Sequence, residues 1–178
     1  MRFSVVRRPI AVGIAVAVFV APACGGGGDS TATKARRIAE ISEQLVPGEV
    51  LGLVVGKESV SKVLRGARRP YIEAVALYSF RKDELLQATL QVSKFAADTD
   101  VDEQFQRTVA GQIVSTGADL PTFRMDDRTV YFGGNAKQSI AVWFRGRYMM
   151  ILASRSEFDR PRSLLRALID LDIGKVSP

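Results

Sequence analysis

The chain has no histidine and a single cysteine among its 178 residues. The absence of histidine excludes the usual general base, the commonest zinc ligand and the Ser-His-Asp arrangement. One cysteine, Cys24, excludes an intrachain disulfide. Catalysis would have to use carboxylates, lysine or a serine–lysine pair. We therefore expect a protein that is not an enzyme and that has no metal and no cofactor.

Long apolar runs are also scarce. The run at residues 10–20 has eleven residues, whereas a membrane-spanning helix needs about 20. It follows three arginines and precedes Ala21-Pro22-Ala23-Cys24. A basic start, a short apolar run and small residues are the three parts of a secretory signal. The sequence therefore predicts that residues 1–23 are a signal peptide cleaved after Ala23.

Ala21-Pro22-Ala23-Cys24 resembles the lipobox of bacterial lipoprotein precursors, in which a small residue precedes the cysteine that receives a diacylglyceryl group. In that family Leu is usual where Ala21 stands, and Ala or Ser where Pro22 stands. The resemblance implies that Cys24 is lipidated and holds the protein on the extracytoplasmic face of the cell membrane. Two alternatives stay open: secretion after ordinary cleavage at Ala21-x-Ala23, and retention of the apolar run as a helix.

The predicted mature chain divides into a tether and one domain. Residues 24–33, with four consecutive glycines, have the composition of a flexible tether. Residues 34–178 have the length of a single domain. The leader contains three of the 25 basic residues and no acidic residue, so its removal lowers the formal net charge from +6 to +3. The basic residues form no continuous stripe, and an exported domain would not meet nucleic acid, so nucleic acid is not an expected partner.

Basic residues are concentrated at two places. Lys62, Arg65, Arg68 and Arg69 precede Pro70, and a second group contains Arg145, Arg147, Arg155, Arg160 and Arg162. Such groups are typical of solvated turns and helix ends. The alternative is a docking face for anionic lipid headgroups or cell-wall polymers, because basic side chains are attracted to anionic membranes. The first group is our candidate for anionic docking.

The acidic segment at residues 98–103 resembles the start of a calcium loop. Such a loop needs glycine at its sixth position and glutamate at its twelfth, where this chain has Glu103 and Val109. We interpret the acids as helix-start residues, with Asp98 or Asp100 as the cap. A carboxylate enzyme would require these acids, or Asp126 and Asp127, to face one cleft.

Sheet patterns occupy the middle of the chain. Residues 72–80 and 85–95 are apolar runs joined by a polar connection, and the second run alternates, which predicts a strand with one solvated face. Residues 122–125 and 129–132, and then 139–144 and 148–153, form two further predicted hairpins. Residues 49–55 are a short apolar run that could be an edge strand.

Helical patterns separate and flank these strands. Apolar spacing predicts helices over residues 33–46 and 98–118, a short one at 59–65, and a last one opened by Pro161. The order favours an α+β domain in which an antiparallel sheet of about five to six strands has helices on one face. This order of elements is similar to that of the PsbP-like fold found in some exported lipoproteins.

Two binding functions remain open for such a domain. As an accessory on the outside of the membrane, it could bind an envelope protein or another envelope component such as an anionic polymer. Alternatively, it could carry or sense an apolar small molecule or lipid in a pocket behind the sheet. Aromatic and methionine side chains of the strands could line such a cavity or simply fill the core. The oligomeric state is not indicated by any pattern.

Overall fold

The computed structural model describes residues 38–60, 72–114 and 120–173. Within them nine strands form one sheet, and two helices pack on it. The elements are β1 (Ala39–Glu40), β2 (Glu49–Val50), β3 (Leu53–Glu58), β4 (Ile72–Lys82), β5 (Leu85–Phe95), α1 (Glu103–Val114), β6 (Thr122–Met125), β7 (Arg128–Gly134), β8 (Gln138–Arg145), β9 (Tyr148–Arg155) and α2 (Pro161–Asp170).

The sheet is antiparallel except at one edge contact. Its order is β2-β3-β4-β5-β9-β8-β7-β6, and β1 pairs in parallel with the start of β4. The predicted antiparallel α+β class is confirmed. The predicted count of five to six strands is too low, because the segment between residues 38 and 58 contributes three strands where the sequence indicated a helix and one uncertain strand.

The central hairpins follow from local sequence. β4 and β5 are joined at Asp83 and Glu84, whose φ angles are +48° and +66°. Positive φ at both central residues gives a turn whose twist matches that of the strands. In the β8–β9 turn only the first central residue, Gly146, has a positive φ, of +51°, which is the position where such turns take glycine. The strands predicted at 72–80, 85–95, 139–144 and 148–153 are confirmed, with small extensions at their ends.

The two faces of the sheet carry separate cores. Trp143 and Leu152 point to the first face, where they share a cluster with Leu164 and Leu168 of α2. Val142 and Ile151 point to the second face, where they share a cluster with Val109 of α1, whose contacts are with β7 and β8. The prediction of helices on one face is therefore wrong, because the two helices lie on opposite faces.

The polar side of β5 is also covered, contrary to the predicted solvated face. Thr89, Gln91 and Ser93 are 9%, 7% and 0% exposed. The Gln91 amide donates a hydrogen bond to the Ser93 hydroxyl at 3.0 Å, so the polar groups partly satisfy each other. The alternating pattern gave the orientation of these side chains correctly. It did not give their exposure, because β5 lies in the middle of a sheet that is covered on both sides.

Helix α1 begins later than the sequence indicates. The Asp102 carboxylate accepts a hydrogen bond from the Phe105 backbone N–H at 2.7 Å, which makes Asp102 the cap. A turn closed by the Thr99 N–H and the Ala96 carbonyl at 3.1 Å precedes it. The predicted caps Asp98 and Asp100 are therefore wrong, and the helix starts at Glu103. Residues 115–119, at the predicted helix end, lie outside the described residues.

The described part of the first predicted helix, residues 38–46, is not helical. β3 pairs with β4 only from Leu77 onward, which leaves the edge at Ala74 and Val75 for β1. The next carbonyls, of residues 41–43, accept hydrogen bonds from the Lys57 ammonium at 2.6, 2.9 and 3.3 Å. These long-range partners replace the local bonds that a helix would make. Most of the predicted helix at residues 59–65 lies outside the described residues.

Tyr78, on the first face of the sheet, also contacts the segment of residues 38–46. Its hydroxyl accepts a hydrogen bond from the Leu45 N–H at 3.1 Å, and the side chain is fully buried. Burial raises the pKa of Tyr78 above its ordinary value, and the nearby Glu43 and Glu40 charges act in the same direction. The hydroxyl is therefore neutral at physiological pH.

We expect Lys57→Met to loosen residues 38–46. The change keeps an apolar stem but leaves three carbonyls without their charged donor. A hydrogen bond to a charged group typically contributes about 1.5–3 kcal/mol to the free energy of unfolding. A loss of about 2 kcal/mol in the free energy of unfolding is the expected result. It can be measured by urea unfolding of residues 24–178 carrying Cys24→Ser, called the unlipidated chain below. The control is Lys82→Met at an exposed strand end; equal stability of the two variants would contradict the role of Lys57.

The C-terminal end of α2 is fixed to the sheet by charge. The Arg128 guanidinium donates to the Ile169 carbonyl at 3.2 Å and forms an ion pair with Asp172. Arg145 also pairs with Asp172, at 2.8 Å. Cations beside the last carbonyls of a helix interact favourably with its dipole. These contacts hold the C-terminal end of α2 against the first face of the sheet.

No helix among residues 38–60, 72–114 and 120–173 is both long enough and apolar enough to cross a membrane.

Candidate functional site

The predicted anchor and the first basic group lie outside the described residues. This applies to Ala23 and Cys24, and also to Lys62, Arg65, Arg68 and Arg69. Their roles in cleavage, lipidation and anionic docking stay predictions.

The second basic group is mostly engaged in ion pairs. Arg145 pairs with Asp172, Arg147 with Glu73 at 2.8 Å, and Arg155 with Glu157 at 3.2 Å. Arg147 also donates two hydrogen bonds to the Phe95 carbonyl. These contacts join neighbouring loops, as the solvated-turn interpretation expects. Arg162 differs, because it has no ion pair with any described residue.

The acidic residues do not converge on a cleft. Asp98, Asp100, Asp102 and Glu103 are exposed around the start of α1. The side chains of Asp126 and Asp127 are 51% and 77% exposed, in the β6–β7 turn. Among the described residues, no group of three or more potential metal ligands is present. The structure therefore offers no paired carboxylates for general acid–base chemistry in the part of the chain that it describes.

A pocket of about 330 Å³ lies between the first face of the sheet and the start of α2. β8 and β9 form its floor, β6 and β7 form one wall, and α2 with its preceding loop forms the other. The described residues that line it are Phe123, Phe132, Asn135, Gln138, Ser139, Ala141, Leu152, Ser154, Arg155, Ser156, Phe158, Pro161, Arg162 and Leu165. The volume lies at the lower end of the range of about 300–1,000 Å³ typical of small-molecule sites.

The walls of the pocket are aromatic and aliphatic. The rings of Phe123 and Phe132 meet edge to face with centroids 6.5 Å apart. Phe158 and Leu165 approach from the helix side and are 9% and 3% exposed. Phe132 remains 42% exposed although its neighbours in β7 and β8 are buried. A half-exposed aromatic ring beside a cavity is a surface that an apolar molecule would cover.

The floor changes from polar to apolar along the strands. Ser139 lies directly opposite Ser154, and Ala141 lies directly opposite Leu152. The serine pair is next to the strand ends, whereas the Ala141 pair is next to the fully buried core around Trp143. The pocket therefore has a polar outer part and an apolar inner part.

Ser154 is polar, buried and not hydrogen bonded by its hydroxyl to any described residue. Only 3% of the residue is exposed, and it lies on β9 between Ala88 of β5 and Ser139 of β8. Buried polar groups in folded proteins almost always have a partner. A hydroxyl that faces a cavity without one is ready to bind a ligand or a water molecule.

Backbone hydrogen bonds connect the segments that form the rim of the pocket. Gly134, with φ +147°, starts the β7–β8 turn where the Asn135 N–H donates to the Gln138 carbonyl at 2.8 Å. The Ser156 N–H donates to the Lys137 carbonyl at 3.0 Å, which ties the loop before α2 to this turn. A side chain at position 134 would meet the Gln138 carbonyl at 2.4 Å, so the turn requires glycine.

The start of α2 opens onto this rim without a side-chain cap. Its first residue is Pro161, and no side chain accepts a hydrogen bond at its N-terminus. No described residue accepts a hydrogen bond from the backbone N–H of Arg162 or Ser163. The first N–H groups of a helix carry a partial positive charge. With Arg162 they make this end of the pocket positive.

The sequence indicated a cavity behind the sheet as one alternative, with aromatic and methionine side chains of the strands as its lining, but it did not indicate most of the residues that line the pocket. Of the side chains proposed as its lining, Phe132 is at the pocket, whereas Tyr78, Phe80 and Trp143 are in the filled core. Phe158, Ser139 and Ser154 were missed. The available signal was two serines near the ends of apolar strands, which become informative only when their register is known.

Comparison of the chain with protein-family models and with curated proteins finds no match, so the geometry of the pocket is what supports a functional conclusion.

Proposed function

We propose that the protein is a non-enzymatic binding domain, anchored by a lipid on Cys24 at the extracytoplasmic face of the cell membrane, and that its pocket binds an apolar or amphiphilic small molecule. The observation that supports binding is the pocket of about 330 Å³ with a half-exposed Phe132 and a buried Ser154 whose hydroxyl has no hydrogen-bond partner among the described residues. The lipobox resemblance supports the anchor and the compartment.

Of the two binding functions left open by the sequence, the pocket favours the small molecule over an envelope protein or polymer. Seven of its fourteen described lining residues are apolar, three of them phenylalanines, and the seven polar ones belong to the β7–β8 turn, the adjoining strand ends and the start of α2. This combination gives affinity through apolar contact and specificity through a few hydrogen bonds. The exposed carboxylates described above provide no support for an enzyme acting on cell-wall substrates.

We expect Phe132→Asp to abolish binding of apolar molecules. The substitution places a charge on the pocket wall, where an apolar ligand would have to desolvate it. The half-exposed position should tolerate the change, so the fold is preserved. The unlipidated chain should bind N-phenyl-1-naphthylamine with increased fluorescence, and Phe132→Asp should weaken this binding at least about tenfold.

Val54→Asp is the matched control, because Val54 is a strand residue with 63% exposure at the far edge of the sheet. It should bind the dye as the parent chain does. Native mass spectrometry of the protein extracted from its own membranes should also show a bound small molecule that Phe132→Asp lacks. A parent chain that binds no dye and carries no small molecule would refute the proposed function.

A further inference from the structure

We propose that the ligand is an anionic single-chain amphiphile, held with its oxygen-bearing head at Ser139, Ser154 and the start of α2 and with its chain directed inward along the sheet. This inference rests on the proposed function and specifies the class of ligand and its orientation. It has three supports: the buried hydroxyl of Ser154, which no residue in the described part of the chain hydrogen bonds, the positive rim, and the change from polar to apolar residues along the floor.

The serine pair supplies donors at one depth of the pocket. Ser139 and Ser154 are directly opposite each other in register on the same face. Directly opposed residues of antiparallel strands have Cβ atoms about 4.5–5.5 Å apart, so one head group can reach both hydroxyls. Since a hydroxyl can donate to an anionic oxygen, the pair suits a carboxylate or phosphate head.

The other side of this space is positive. Arg162 lines the pocket, has no ion pair with a described residue, and lies in the uncapped first turn of α2. Anions are stabilised at such helix starts by the free N–H groups and the helix dipole. No carboxylate occurs among the described lining residues, and the two acids close in sequence are each paired with a neighbouring arginine, Glu157 with Arg155 and Asp159 with Arg160.

The orientation of the ligand follows from the order of residues along β8 and β9. Only five residues separate the end of β9 from the start of α2, so the first turn of α2 is at the same end of the sheet as the serine pair. Two residues farther along each strand, about 7 Å inward, the floor is Ala141 and Leu152 beside Phe132. Trp143 is the next residue of β8 on this face. A bound chain therefore extends from the rim toward Trp143.

Matched eight-carbon ligands test the head group. Calorimetric titration of the unlipidated chain should show that octanoate and octyl phosphate bind at least about tenfold more tightly than octanol, with octylammonium weakest, because hydrogen bonds to charged groups are the strong ones. Binding of the two anions should weaken with added salt, whereas binding of octanol should not. The relative affinity of octanoate and octyl phosphate distinguishes a fatty-acid-like head from a phosphate head.

Ser154→Ala and Arg162→Gln should each weaken octanoate binding and leave octanol binding unchanged. Together they should lower the ratio of octanoate affinity to octanol affinity by about tenfold. The matched controls are Ser93→Ala, an equally buried serine on the opposite face, and Arg166→Gln, one turn along α2 and outside the pocket. Neither control should change the ratio of the two affinities.

Brominated ligands test the orientation, with Trp143 as the single tryptophan of the chain. 8-Bromooctanoate should quench its fluorescence more strongly than 2-bromooctanoate at equal occupancy. Stronger quenching by the 2-bromo compound would overturn the orientation.

Equal binding of octanol and octanoate, with no effect of the Ser154 and Arg162 variants, would overturn the head-group assignment and leave the proposed function standing. Failure of all four ligands and of the dye to bind would refute both.

Discussion

A Cys24→Ser variant is expected to carry no lipid, and to be either released from the membrane as a mature protein or left as an uncleaved precursor. The thiol is the only group in the chain that can receive the thioether-linked lipid, because no other cysteine is present. One acyl chain holds a protein at a membrane only reversibly, whereas two or more hold it firmly. We therefore expect almost all of the lipidated protein, and almost none of the bare mature protein, in the membrane fraction. The variant should appear in the medium, cleaved after Ala23, or accumulate as a precursor that retains residues 1–23.

Intact-mass measurement separates these outcomes from the alternatives. The membrane-bound parent protein should have the mass of residues 24–178 plus that of the attached lipid, and the variant should lack this addition. Ser30→Ala, six residues away in the predicted tether, should behave as the parent chain does. A parent protein whose N-terminus is Cys24 with an unmodified thiol, or whose leader is retained, would contradict the anchor.

The largest effect on stability is expected from Trp143→Ala. Trp143 is fully buried at the centre of the first-face cluster, opposite Met150 and beneath α2. Removing a buried tryptophan costs both the lost transfer free energy and the cavity that remains, together about 3–5 kcal/mol. Since domains are typically stable by about 5–15 kcal/mol, the variant should be near the limit of folding at 37 °C.

Urea unfolding of the unlipidated chain, followed by far-ultraviolet circular dichroism, measures this loss. Phe132→Ala is the control, because Phe132 lies on the same face in the neighbouring strand but is 42% exposed. It should lose about 1 kcal/mol, in line with its partial burial. A Trp143→Ala variant as stable as the control would show that the first-face core does not depend on this side chain.

The two predictions concern different parts of the chain and are independent. Loss of the anchor should leave unfolding unchanged, because the sequence predicts that Cys24 belongs to a flexible tether that precedes the domain. Loss of Trp143 should also weaken ligand binding, because the residue supports the inner end of the pocket from the same strand as Ala141. Phe132→Asp, by contrast, should affect binding much more than folding.

The amino-acid sequence by itself determined the elements whose signals are local. The β4–β5 and β8–β9 hairpins were predictable because their apolar runs flank short polar turns. Helix α2 was predictable because Pro161 suits a first turn and its leucines repeat at helical spacing. The acidic segment before α1 correctly indicated that an aspartate caps this helix. It did not indicate which aspartate, because the cap is Asp102 and not Asp98 or Asp100.

Only the tertiary structure decided the features that depend on distant partners. Residues 38–46 have helical spacing, but the free edge of β4 and the Lys57 ammonium give their backbone better partners. β5 alternates like a strand with a solvated face, but it lies at the centre of a sheet covered on both sides. Ser139 and Ser154 are fifteen residues apart in sequence and adjacent in space, because β8 and β9 pair in one register. The pocket exists for the same reason: contacts between distant residues place α2 across the sheet, and local sequence does not encode them.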